Sequence, residues 1–339
     1  MSLSRDSKFI LFRLKPWEYS WRGLTLLGII YFGALLFAGI AGPPVYWLVE
    51  WWAETAPNKL NTYLVEKDFD DYVDRLRWIP VLLLLLWLLK ACELNSWRRL
   101  GVAFNGEGRR LFLLWFGIGL LLLTLTAVAQ GLGTDVRFRK TDISIGNLSG
   151  VVLKGLAGGL LLGLLEEIVF RGLIFRIFYT AFRPVWAIGL SAAFFAYTHF
   201  KMPGFIWKQT DQVVDWSSGF FVAYWTVLGI SQDFELLPFL NLFMLGVVLA
   251  LLFLGTRSLM PCVGLHAGLV TIMLTYKKVF KVNESTPTWL WGSNAITDSL
   301  IALVLLVLLS VGLAAGVFFC RRKYNVQAQK KTYTKSHLK

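Results

Sequence analysis

Long uncharged stretches recur along the chain, each closed by a short polar segment. Runs from Gly23 to Val49, Leu111 to Thr134, Leu236 to Thr256, Ser258 to Tyr276 and Ile301 to Phe319 are near the ~20 apolar residues a helix needs to cross the hydrocarbon layer. Three weaker spans join them. Trp78 to Leu89 is short and extends by snorkelling of Arg77 and Lys90. Ile143 to Phe178 is interrupted by Lys154, Glu166, Glu167 and Arg171, and Pro184 to Phe200 carries His199. The pattern predicts an all-α fold, a polytopic membrane bundle of about eight helices, with the fourth span the most irregular.

Composition agrees: 56% of the residues are apolar and 16% charged, against roughly a quarter charged in soluble domains. Mean hydropathy is +0.59. A net charge of +13 does not point to nucleic acid, because the basic residues punctuate apolar runs instead of gathering on one water-facing surface. Cys92, Cys262 and Cys320 lie at the ends of apolar runs and offer neither a disulfide framework nor a Cys-rich zinc module. No cleavable signal pattern opens the chain: the first apolar run is too long for a signal core.

Orientation follows from the loops, since basic residues are retained on the cytoplasmic side. Arg5, Lys8, Arg13, Lys15 and Arg22 precede the first span; Lys90, Arg98, Arg99, Arg109 and Arg110 lie in the second connection; Arg321 to Lys339 is a basic tail. All are expected inside, with both termini cytoplasmic. The acidic connection from Glu50 to Arg77 and the segment from Lys201 to Glu235 are expected outside. Lys277, Lys278 and Lys281 are discordant with that assignment. The aromatic Lys201–Glu235 segment reads as an amphipathic element at the outer interface, or alternatively as a lid near His199. The tail reads as a topology determinant and a ligand for anionic lipid.

A charged side chain at the bilayer centre costs at least about 2.5–3.5 kcal/mol, so intramembrane ionisable residues mark function. Glu166, Glu167, Arg171, His199 and His266 are such residues. Glu167 and Arg171 stand four apart on one helix face and can pair. Glu166, turned about 100° away, points elsewhere, and a carboxylate near a tuning neighbour is what a general base requires. His337 lies in the solvated tail.

Glu166-Glu167-x-x-x-Arg171, then Phe195-x-x-x-His199, then a separate His266, resembles the CPBP family of intramembrane proteases (CAAX proteases and bacteriocin-processing enzymes, the Abi family). The Asn241–Val270 stretch, with Phe243, Gly246, Gly255 and Arg257 before His266, resembles that family's last motif region. The resemblance covers about residues 145 to 275. It implies a glutamate-dependent endopeptidase in which Glu166 and His199 activate a water and His266 stabilises the oxyanion, with Glu167 and Arg171 as support. The family's last motif normally adds a polar residue four positions after its His. Here that residue is Val270, which has no donor, and Asn241 is a candidate substitute.

Two His and a Glu are also a catalytic zinc set. A metal-free reaction is expected, with zinc the alternative, because no His-Glu-x-x-His pair sits on one helix. The expected substrate is a membrane-associated peptide or protein: a bacteriocin or other precursor, an anchored protein, or a prenylated tail. Val270 also fits a catalytically impaired immunity or scaffold protein. A proton-coupled transporter, the third reading, lacks paired halves. The expected organisation is 1–140 N-terminal helices, 141–278 protease-like core, 279–320 last transmembrane hairpin region and 321–339 basic tail. The short extensions point to the bacterial branch, hence an inner (plasma) membrane.

Overall fold

The computed structural model describes residues 20–94, 96–139, 145–200, 204–208, 213–228, 234–282 and 287–317. Arg5, Lys8, Arg13 and Lys15 of the N-terminal basic cluster, Cys320, His337 and the basic tail lie outside these. The described chain is almost entirely helical. Helices over Gly23–Thr55, Gly106–Gly133, Asn147–Ala181, Leu236–Thr256 and Leu300–Val317 are long and apolar enough to cross a membrane. The expected count of eight is not confirmed. The Trp78–Ala91 and Pro184–Thr198 helices have 14 and 15 residues, which at 1.5 Å per residue falls short of a ~30 Å layer. Met260–Val279 has 20 residues but ends on Lys277 and Lys278.

The chain divides into two compact units. The first comprises residues 1–95, 177–182 and 197–235. Its axis is α1 (Ser20–Thr55), followed by α2 (Lys59–Val65), α3 (Phe69–Leu76) and α4 (Trp78–Ala91). Helix α3 buries Phe69, Tyr72 and Val73, the i, i+3, i+4 stripe of an amphipathic helix. Asp70 and Asp71 in its first turn and Arg75 in its last complement its dipole. Phe69 and Val73 join Ala38, Ile206, Trp207 and Val222 in one apolar core. Gly42 of α1 lies against Phe69 and Val73, and Trp47 Nε1 donates to the Val214 carbonyl at 3.2 Å. The acidic connection and the aromatic segment, both read as outer loops, are therefore packed on each other. The aromatic segment is amphipathic: Trp207 and Val222 are buried, while Trp216, Phe220 and Tyr224 are exposed.

The second unit comprises residues 96–176, 183–196 and 236–339. In chain order it holds α5 (Trp97–Leu100), α6 (Gly106–Gly133), β1 (Val136–Phe138) and α7 (Ile145–Glu167). A π-helical turn (Ile168–Ile174) follows and leads into α8 (Phe175–Ala181), whose later residues belong to the first unit. Then come α9 (Pro184–Thr198), α12 (Leu236–Thr256), α13 (Met260–Val279), β2 (Phe280–Val282), α14 (Thr288–Trp291) and α15 (300–317). Between α9 and α12 the chain forms α10 (Gly204–Lys208) and α11 (Ser218–Leu228) of the first unit. Strands β1 and β2 pair antiparallel, Arg137 opposite Lys281.

Small residues decide how α13 is held. A Cβ on Gly155, Gly159 or Gly163 of α7 would collide with Thr275, Thr271 or Ala267 of α13, and one on Gly119 of α6 with Leu265 and Gly268. From α13, Gly264 and Gly268 face the backbone of α6 at Phe112 and Phe116. Within lipid, where apolar surface gains little by leaving its surroundings, such close backbone approach is what drives helix association. At one end of this unit Gln130 is fully buried. Its Nε2 donates at 2.7 Å to Gly292 O, and its Oε1 accepts from Tyr276 at 2.6 Å.

Candidate active site

The glycine stripe 155, 159, 163 continues to Glu167 at the same four-residue step, so the packing that seats α7 on α13 also brings Glu167 to His266. His266 Nδ1 lies 2.9 Å from Glu167 Oε1. Arg171 Nη1 donates to the same oxygen at 2.9 Å, as the four-residue spacing predicts. Glu167 is 0%, Arg171 3% and His266 4% exposed. Charges so buried persist only when paired, and Arg171 Nη1 and His266 Nδ1 both lie on one oxygen of Glu167. Its Oε2 has no hydrogen-bond partner among the described residues.

Glu166 also reaches His266: its Oε2 lies 3.7 Å from Nε2, with the Glu166 side chain 23% exposed. Glu166 was expected to point elsewhere than Glu167, yet both carboxylates end on one imidazole, one at each ring nitrogen. The site thus has a sealed side, Glu167 with Arg171, and a more open side, Glu166.

Two features hold the sealed side in place. The π-helical turn begins directly after Glu167, and the amide of Phe175 bonds back to Phe170 O, five residues away; such wide turns recur at functional sites. Arg171 crosses to α12, where Nη2 donates to Gly246 O at 3.3 Å, and stacks over Phe195 of α9 with Cζ 4.5 Å from the ring centroid. Phe195 in turn meets His266 edge-on at 6.1 Å between centroids. Gly246 can offer its carbonyl because α12 lies against Ala192, 2.8 Å from where a Cβ would stand. Phe195 and Gly246 were visible as motif positions, but their roles as ring and carbonyl for Arg171 were not; the four-residue glycine repeat was the overlooked signal.

His199, Asn241 and Val270 are the other residues that the sequence singles out. His199 occupies the turn after α9 and is exposed; it belongs to the first unit. Asn241 is 3% exposed. Its Nδ2 donates to Leu237 O at 3.0 Å and to Ser299 O at 3.1 Å. The first bond returns to its own helix and the second ties α12 to the segment before α15. Val270, one turn beyond His266 on α13, is buried. Among the described residues no group of three His, Cys, Asp or Glu side chains is arranged to hold a metal ion.

A second cation supports the same helix. Arg176 Nη2 donates to Arg99 O and Leu100 O, each at 3.1 Å, capping the carbonyls of α5 as a basic residue does at a helix C-terminus. Gly101, in left-handed conformation at φ 92°, then lets its carbonyl accept from Leu259 N at 2.9 Å, fastening this loop to the start of α13.

The family model for type II CAAX prenyl endopeptidase Rce1-like proteins matches residues 148–272. That stretch runs from α7 into α13 and contains Glu166, Glu167, Arg171, His199 and His266. No curated protein and no solved structure matches the chain.

Proposed function

We propose that this multi-pass membrane protein, whose residues 148–272 form a CAAX-protease-like domain, is an intramembrane endopeptidase that cleaves a membrane-associated peptide or protein with water activated by Glu166 and His199. The observation that carries the reading is the convergence of Glu166 and Glu167 on His266 inside the segment that matches a peptidase family. Glu166, on the more open side, takes a proton from water; the oxygen attacks the scissile carbonyl, and the proton is delivered to the departing amine. Positioned acid–base groups of this kind contribute about 10²–10⁴ in rate.

The reaction is read as metal-free, since a carboxylate beside imidazole can deprotonate water unaided. Zinc chemistry is the alternative, and the purified protein decides it: full inhibition by a chelator together with one stoichiometric zinc refutes the metal-free version.

The test of function compares the membrane proteomes of cells carrying wild type, Glu166→Gln and His199→Gln. Peptides that accumulate uncleaved in both variants support the reading and name the substrates; unchanged cleavage in either variant refutes it. Val270 supports a second reading, a catalytically impaired member acting as an immunity or scaffold protein. A cellular phenotype that survives Glu166→Gln favours that one. The anionic leaflet remains the proposed partner of the basic tail.

A further inference from the structure

The pairing of β1 with β2 gathers basic residues that lie far apart in the chain. Arg137 stands directly opposite Lys281, and Lys277 and Lys278 occupy the last turn of α13 just before. Arg139 joins them: its amide bonds to Val279 O at 2.9 Å, and its Nε donates to the carbonyls of Lys277 and Phe280 at 2.9 and 3.0 Å. These bonds hold its guanidinium against the end of α13. All five residues are exposed. Over 135–142 and 277–284 six basic residues stand against three acidic ones, and of those three Asp135 is paired with Arg137, Oδ2 to Nη2 at 2.6 Å. Like charges directly across two strands are destabilising, so the Arg137–Lys281 pairing carries a cost that a bound anion would offset.

Side chains alternate along the two strands, so Phe138 and Phe280 share one face and Arg137 and Lys281 the other. Phe280 lies 4.9 Å from Tyr276 and 5.0 Å from Phe138 between ring centroids. Phe138 is 62% exposed, and Leu132 at the end of α6 is 85% exposed. Helix α6 is long and apolar enough to cross a membrane, and the Tyr276–Gln130 bond ties the end of α13 to the end of α6. The cations therefore stand where the apolar helices stop, the level at which headgroups begin. Exposed apolar side chains flanked by Lys and Arg are the pattern of a surface seated in that layer. We propose that the β1–β2 ribbon and the end of α13 form a binding surface for the headgroups of anionic phospholipids: Arg139, Lys277, Lys278 and Lys281 meet the phosphates, and Phe138 enters the acyl boundary. This folded surface is distinct from the basic tail and does not depend on the peptidase reading. It gives a use to Lys277, Lys278 and Lys281, which the expected orientation leaves without one.

Native mass spectrometry of the full-length protein in a non-ionic detergent measures the affinity of the tightest phosphatidylglycerol site, with phosphatidylcholine of the same chains as reference. Each cation near an anionic surface raises affinity about fivefold, so Lys277→Gln/Lys278→Gln/Lys281→Gln is expected to weaken that site about a hundredfold. Lys277→Arg/Lys278→Arg/Lys281→Arg keeps the charge and is expected to bind as wild type. The basic tail is intact in both variants. Phosphatidylglycerol bound undiminished by the Gln variant therefore overturns the proposal and leaves the tail as the anionic-lipid contact. Lys281→Glu sets opposite charges across the strands. It is expected to raise the melting temperature in phosphatidylcholine vesicles and to remove the further rise that phosphatidylglycerol gives wild type by binding the folded state. A phosphatidylglycerol gain that survives Lys281→Glu also overturns the proposal, and this variant decides alone if the Gln variant does not fold. Soluble glycerol phosphate that stabilises wild type as much as phosphatidylglycerol refutes the lipid assignment in favour of a free anion. A Gln variant that keeps its lipid but loses binding of an acidic test peptide refutes it in favour of a protein partner.

Discussion

Gly163 on α7 faces Ala267 on α13 so closely that a Cβ on Gly163 would stand 2.9 Å from the Ala267 amide nitrogen. The contact sits one turn before Glu167 on one helix and next to His266 on the other. Backbone separation here therefore sets the carboxylate–imidazole distance.

Gly163→Ala forces the helices apart. Overpacking of this kind costs about 1–3 kcal/mol, and the expected outcome is a lowered melting temperature in detergent. Gly150→Ala on the same helix meets nothing within 4 Å and is expected to leave stability unchanged or raise it. Equal effects of the two substitutions would show that helix propensity, not packing, governs.

Arg176→Gln withdraws a charged donor from the carbonyls of Arg99 and Leu100. Hydrogen bonds from charged groups contribute about 1.5–3 kcal/mol each, so the 96–102 loop should open. The readout is trypsin cleavage after Arg98 and Arg99, slow in wild type and rapid in the variant.

Val270→Asn places a donor where the resemblance to the CPBP family implies a polar residue. Removing such a donor from established oxyanion holes costs about 10²–10³ in rate. Introducing one at a position not shaped for it is expected to raise turnover of a prenylated test peptide by about tenfold, with KM little changed. A fall in turnover with intact folding would mean that Val270 serves packing and that the oxyanion is stabilised elsewhere.

Asp215 precedes α11, and its Oδ1 accepts from the Ser217 and Ser218 hydroxyls at 2.7 and 3.0 Å and from the Ser218 amide at 2.9 Å. The Ser217 and Ser218 hydroxyl bonds hold its carboxyl below the ordinary carboxylate range. The folded value is depressed, so the stabilisation is present above the unfolded value of about 3.9 and is lost as pH falls through the folded one. Acid titration followed by the fluorescence of neighbouring Trp216 should show a local transition below that value. Asp215→Asn removes the transition; a transition unchanged in that variant assigns it elsewhere.

Much of this was legible in one dimension. Apolar run lengths mark the membrane segments, because the cost of leaving backbone and charge in hydrocarbon forces long uncharged helices. The same cost isolates Glu166, Glu167, Arg171, His199 and His266, and four-residue spacing pairs Glu167 with Arg171. Hydropathy alone does not fix the span count: the helices at Trp78–Ala91 and Pro184–Thr198 are apolar but shorter than a full crossing, and the count of eight is not confirmed.

What the sequence by itself determined was therefore a membrane bundle and the handful of groups too expensive to be there idly. Which of them meet was decided by tertiary structure. Glu167 reaches His266, 99 positions away, because glycines on α7 let its backbone settle against α13. Asn241, a candidate by its polarity, spends its amide on Leu237 and Ser299. Polarity is a local property that each residue carries, whereas partnership depends on which helix faces are brought within bonding distance, and that is set by close packing between segments far apart in the chain.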